Sequence, residues 1–204
     1  MKVVSYLIII LLVVVNFSLM SSTQAQTLYF DDVTTTASNV NFKDLTDNRY
    51  YGGLNWDDNW GIQNKNAKYS YFSTAVSGDY VAYNSMGDNA SITSLGGNFN
   101  FIDATLTLVY DSPYNLQVKG YKGSDLVYAQ TVILSHTPSL VKFDFNNINK
   151  LIFETASTGS EDSEGIYFAM DNFNYSMAST PEPSSILLGF LGIGGLLVLR
   201  RKNT

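Results

Sequence analysis

The sequence predicts an all-β protein: an antiparallel, jelly-roll-like β-sandwich flanked by an N-terminal signal-peptide helix and a C-terminal transmembrane helix. Three observations carry this expectation. Short runs of alternating, β-branched and aromatic residues fill the stretch from Gln26 to Met177, and turn residues break them at roughly ten-residue intervals. No window of that stretch holds a sustained helical period. The long apolar runs lie only at the two ends of the chain.

The start, "MKVVSYLIIILLVVVNFSLMSSTQAQT", places a basic residue, Lys2, before an unbroken apolar run from Leu7 to Val15. Small residues then precede a cut after Ala25. This is the order of parts in a secretory signal peptide, so residues 1–25 are assigned to export. The body follows as residues 26–177. "ATLTLVY" sets Leu106, Leu108 and Tyr110 against Thr105, Thr107 and Val109, one set on each face of a strand. "YNLQVKGYK" sets Tyr114, Leu116 and Val118 against Asn115, Gln117 and Lys119. "DLVYAQTVIL", "SLVKFDF", "KLIFETA" and "GIYFAMDNFNYS" continue the series, separated by "DSP", "KGSD", "SHTPS", "NNIN" and "STGSEDSEG". About eight strands fit the length available.

Residues 178–183, within "SMASTPEP", read as an extended linker. Residues 184–204 close the chain. Ser184 to Leu199 carries no charge, and as a helix it spans roughly 24 Å, a short crossing of a bilayer core of about 30 Å. Arg200, Arg201 and Lys202 would stay on the cytoplasmic side. The order of parts, Pro181-Glu182-Pro183, then a glycine-containing apolar stretch, then "RRK", resembles the PEP-CTERM sorting signal. The resemblance covers the last two dozen residues. It implies handling by an exosortase-type membrane transpeptidase, anchorage in the inner membrane before processing, and delivery to the cell envelope or the extracellular matrix, often alongside exopolysaccharide.

Composition narrows the function. There is no cysteine, which removes disulfides, thiolate metal sites and cysteine chemistry. The formal charge is -6, and because Lys2, Arg200, Arg201 and Lys202 sit at the two ends, the body between them is more acidic still. Such a body repels nucleic acid. The one histidine, His136, sits in the turn "LSHTPS", which leaves serine–histidine catalysis and histidine metal sites without their parts. Glu154, Glu161 and Glu164 are the body's glutamates, and the last two lie in a turn-like stretch suited to solvation.

Two stretches carry candidate chemistry. "LYFDDVTTT" and "YFAMDNFNYS" read as the first and last strands, and jelly rolls set such strands side by side. That would gather Asp31, Asp32 and Asp171, and clustered carboxylates call for a cation, so these three are candidate ligands of a structural Ca²⁺. "RYYGGLNWDDNWGIQN" holds both tryptophans of the chain among tyrosine, asparagine and aspartate. Flat rings stack on sugar faces, and Asp and Asn bond hydroxyls. Tyr51, Trp56, Asp57, Asp58 and Trp60 are therefore candidate glycan-binding residues. The opposing expectation is that Tyr50, Leu54 and Trp56 point inward and fasten a loop to the core. "FDD" followed by "YYGGLNW" is similar to secreted, carbohydrate-binding-module-like sandwiches. The resulting expectation is a non-enzymatic, exported envelope or matrix protein that associates with exopolysaccharide. A glycoside hydrolase or lyase and a protein–protein adhesion module stand as alternatives.

Overall fold

The computed structural model describes residues 24–33, 39–41, 50–66, 76–155 and 165–178. The signal-peptide segment, the PEP motif, the apolar tail and the stretch "STGSEDSEG" up to Glu164 lie outside the described residues. No described helix is long and apolar enough to cross a membrane.

The described strands are β1 (Gln26–Leu28), β2 (Asn39–Asn41), β3 (Tyr50–Tyr51), β4 (Leu54–Trp56), β5 (Trp60–Asn64), β6 (Tyr80–Asn84) and β7 (Ala90–Ser94). They continue with β8 (Phe99–Leu108), β9 (Tyr114–Lys122), β10 (Asp125–Leu134), β11 (Ser139–Ile148), β12 (Lys150–Glu154) and β13 (Phe168–Met177). They form two antiparallel sheets. One runs β11-β8-β13-β6-β5-β2, with β1 also on β13; the other runs β10-β9-β12-β7-β4-β3. From β6 onward, the last strand inserts between β8 and β6, and β12 inserts between β9 and β7. That nesting of late strands between early ones is the winding of a jelly roll.

The alternating runs become strands because a pleated backbone sends successive side chains to opposite faces. β9 occupies "YNLQVKGYK" and β10 occupies "DLVYAQTVIL". In β9, Leu116 and Val118 are buried while Asn115 and Gln117 are exposed. Two expectations need correction. "NNIN" is not a full break: β11 runs on through Asn146 to Ile148, and register shifts after Lys142 and Phe145 absorb the polar residues as bulges. "LYFDDVTTT" does not continue as a strand, because β1 ends at Leu28 and Phe30 turns the chain with φ 63°. Both faces of β8 are covered: Thr105 and Thr107 are only 7% and 6% exposed, and the Thr107 hydroxyl donates to the His136 carbonyl at 3.2 Å. The first strand does lie beside the last, in register Gln26 to Tyr175 and Leu28 to Phe173.

The core is an aromatic layer between the sheets. Trp56 meets Trp60 edge to face at 5.3 Å, and Trp60 meets Phe153 at 5.4 Å and Phe168 at 5.8 Å. Phe101 stacks on Phe143 at 4.5 Å and on Phe173 at 4.7 Å. Edge and offset contacts of this kind add to burial itself. Each indole N–H is bonded before it is buried: Trp56 Nε1 donates to the Tyr51 carbonyl at 3.1 Å and Trp60 Nε1 to the Ser91 carbonyl at 3.0 Å. Truncating Trp60 to alanine removes all three ring contacts and the anchor, at a cost of about 3–5 kcal/mol. Chemical denaturation of Trp60→Ala should show that loss, and Trp60→Phe should lose less.

Candidate functional site

The stretch from Tyr50 to Trp60 folds as two short strands and two turns. Gly52 and Gly53, with φ 61° and 70°, make the two-residue hairpin between β3 and β4; positive φ at both central positions suits the twist of the paired strands. That turn fixes the register Tyr50 opposite Asn55 and Tyr51 opposite Leu54. Leu54 and Trp56 therefore face the core, and Tyr50 and Asn55 face out.

This register corrects the sequence-based ligand set. Trp56 and Trp60 are 0% exposed, so neither presents a ring face to a sugar. The inward expectation holds for Leu54 and Trp56, but Tyr50 is 56% exposed. Tyr51 is half-buried against Phe30 and Trp56, and its hydroxyl donates to Asp32 Oδ1 at 2.5 Å. Asp57 closes the β4–β5 turn: Oδ1 accepts the Asn59 amide at 3.1 Å and Oδ2 the Ser91 amide at 2.6 Å. Burial pushes its carboxyl up, and the bonds from Ser91 and Asn59 oppose that shift. Asp58 is exposed in the same turn.

The three candidate calcium ligands do not converge. Asp171 is 3% exposed, and its carboxylate is filled by protein donors: Oδ2 takes the amides of Val76 at 3.0 Å and Ser77 at 2.8 Å, while Oδ1 takes the Ser77 hydroxyl at 2.9 Å and the Asn172 amide at 2.7 Å. Asp31 Oδ1 accepts the amides of Asp79 at 2.6 Å and Tyr80 at 3.1 Å. Asp32 takes the Tyr51 hydroxyl. Among the described residues no group of three or more acidic or imidazole side chains forms that could hold a metal ion. Backbone amides do here what the cation was expected to do: they satisfy the carboxylates. The two aspartates thereby latch Val76–Tyr80 onto the seven-stranded sheet. Gly78, at φ 44°, leaves room for the latch, because a Cβ there would stand 1.9 Å from the Asp31 carboxylate.

The latch also decides which surface is open. On the outward face of the seven-stranded sheet, Gln63, Val81, Asp171 and Thr105 are all buried, the most exposed of them at 7%. The outward face of the six-stranded sheet is different. Register places Tyr50 beside Asn55, Asn55 beside Thr93, Thr93 beside Lys150, and Lys150 beside Tyr121. These five residues make one row running across β3, β4, β7, β12 and β9. At about 4.8 Å per strand the row is about 19 Å long. A tyrosine stands at each end, with an amide, a hydroxyl and an ammonium between. Asn55 Nδ2 donates to Thr93 Oγ1 at 3.3 Å, and Asn55 Oδ1 has no hydrogen-bond partner. Below the row, Lys119 is tied to Glu154 at 2.6 Å, a bond that raises the lysine's pKa. His136, in the β10–β11 turn, donates from Nδ1 to the Leu108 carbonyl, 3.2 Å away.

The sequence pointed to the Tyr50–Asn64 stretch, and the structure turns both of its tryptophans inward. Asn55, Thr93, Lys150 and Tyr121 are aligned with Tyr50 only by pairing between strands, which no single stretch displays. The Gly52–Gly53 pair did hold the signal that Tyr50 and Asn55 share a face, because a two-residue hairpin sets them opposite each other.

No family model and no curated protein matches this chain. Solved structures with a similar course include a family 29 carbohydrate-binding module, 10% identical over 79% of this chain and 99% of that one, with a TM-score of 0.39. A family 51 carbohydrate-binding module from Clostridium perfringens in complex with methyl-galactose is 11% identical over 74% and 99%, TM-score 0.34. The adhesin domain of Lys-gingipain from Porphyromonas gingivalis is 11% identical over 76% and 99%, TM-score 0.35. Likeness at this level carries neither ligand nor role to this chain.

Two outcomes follow from the carboxylates. Asp171→Ala leaves buried amides unpaired and should cost about 2–4 kcal/mol, whereas EDTA should leave the melting temperature of the unaltered protein unchanged in calorimetry. Burial, then the Asp32 hydrogen bond and charge, hold the Tyr51 hydroxyl far above its ordinary 10.0. The unfolded chain loses that proton above pH 10 and the folded chain keeps it, so stability present below pH 10 is lost as pH rises. Denaturation between pH 9 and 11 should fall less steeply in Tyr51→Phe.

Proposed function

We propose that this protein is a non-enzymatic glycan-binding β-sandwich whose ligand lies along the Tyr50–Asn55–Thr93–Lys150–Tyr121 row. The observation that carries this reading is the row itself. Rings at both ends can stack on sugar faces, while a hydroxyl and an ammonium between them match a line of hydroxyls. A strand-borne row is held by its ladder and its neighbours, so it is set before ligand arrives. Four of the described carboxylates are committed to structural bonds: Asp31, Asp57 and Asp171 to backbone amides, and Glu154 to Lys119.

The delivery route belongs to the same proposal. Residues 1–25 export the body, residues 178–183 link it, and the PEP-CTERM-like tail of residues 184–204 holds it at the inner membrane for an exosortase-type transpeptidase. The destination is the cell envelope or the matrix outside it, where exopolysaccharide is the partner at hand. The support is the order of parts in the sequence. Mass spectrometry of the mature protein from its native cell should find both terminal segments removed, and a chain ending at Ala178 should fail to reach its destination.

Binding to a polysaccharide panel tests the site. Tyr50→Ala and Tyr121→Ala should each weaken binding about tenfold, about 1.4 kcal/mol, with folding intact by circular dichroism. Unchanged affinity in both variants would sink the assignment of the row.

A further inference from the structure

The row has a charge as well as a shape. Lys150 stands inside it, between Thr93 and Tyr121, and is half-buried. Its stem lies on the sheet while its ammonium must find solvent or a partner. Among the described residues, Lys150 makes no ion pair and no side-chain hydrogen bond. Its neighbour is different. Lys119 is two residues from Tyr121 on the same strand and faces the same way, diagonal to Lys150 across the β9–β12 pair. Glu154 cancels it at 2.6 Å. The face therefore neutralises the cation beside the row and leaves the cation in the row uncompensated.

Resting on the glycan-binding reading, we infer that the ligand is an acidic polysaccharide, with Lys150 pairing the acid group of one sugar. The neighbouring chemistry fits a single charged ring: the Thr93 hydroxyl flanks the ammonium on one side and the Tyr121 ring on the other. A charge-assisted bond of this kind is about twice as strong as a neutral one. The protein's own charge sharpens the inference. With a formal charge of -6, the chain repels polyanions at long range. Screening within about 8 Å at physiological salt leaves contacts to be decided locally. Preference for an acidic polymer by an acidic protein must then come from a specific cation and not from bulk attraction.

The test uses the full chain with polygalacturonate, alginate and heparin, and with carboxyl-reduced polygalacturonate as the neutral match. The acidic polymer should bind at least about tenfold tighter than its reduced form, about 1.4 kcal/mol. Lys150→Gln should abolish that preference, bringing the acidic polymer's affinity down to that of its reduced form. Glu154→Gln frees Lys119 and should strengthen acidic binding several-fold. Equal affinity for the acidic and reduced polymers, or a preference that survives Lys150→Gln, overturns the inference and leaves tyrosine-dependent glycan binding standing. Retention of none of the acidic polymers overturns the inference as well, and failure to bind any neutral glycan too would strike the glycan-binding reading itself.

Discussion

The structure rests on aromatic packing between two sheets that no disulfide joins. Without cysteine, the sandwich is held by burial, and the largest buried groups are Trp56, Trp60, Tyr175 and a set of phenylalanines. These rings come from both sheets: Trp56 from β4 and Phe153 from β12 on one side, Trp60 from β5 and Phe101, Phe168 and Phe173 from the other. Each must be seated with its polar atoms already bonded, because an orphaned N–H in such a layer costs more than a typical hydrogen bond returns. The indole nitrogens meet this condition through the Tyr51 and Ser91 carbonyls.

That requirement fixes the surface. Once Trp56 is committed inward, the pleat turns Asn55 outward, and the Gly52–Gly53 hairpin turns Tyr50 outward beside it. Leu151 and Phe153 commit β12 and leave Lys150 and Ile152 outside; Val118 commits β9 and leaves Lys119 and Tyr121 outside. The row of polar and aromatic groups is thus the complement of the core, written on the other side of the same strands. A one-residue slip of β12 would bury Lys150 and expose Phe153, so the core guards the register of the site.

Hydrogen-bonded carboxylates play a second structural part. Asp171 and Asp31 accept backbone amides from Val76 to Tyr80 and draw that segment over the seven-stranded sheet, while Asp57 seals the β4–β5 turn against β7. Carboxylates bonded by several amides need no cation to be tolerated where they lie. Their placement after aromatic positions was plain in the chain. Their partners were not, since those partners are main-chain groups, which carry no sequence signature.

The sequence alone determined the sandwich: alternation is a local property, and the strands "YNLQVKGYK" and "DLVYAQTVIL" could be read residue by residue. It also marked the Tyr50–Asn64 stretch as rich in ring and hydroxyl-bonding chemistry, and it is the ground on which export and sorting are proposed for the terminal segments. The tertiary structure decided which side of each strand faces the core, that both tryptophans are spent there, and that Tyr50, Asn55, Thr93, Lys150 and Tyr121 stand in one line. The reason is physical. A side chain's parity is set by its own strand, but its neighbours are set by pairing with strands up to about a hundred residues away, and that pairing is chosen by the whole core at once.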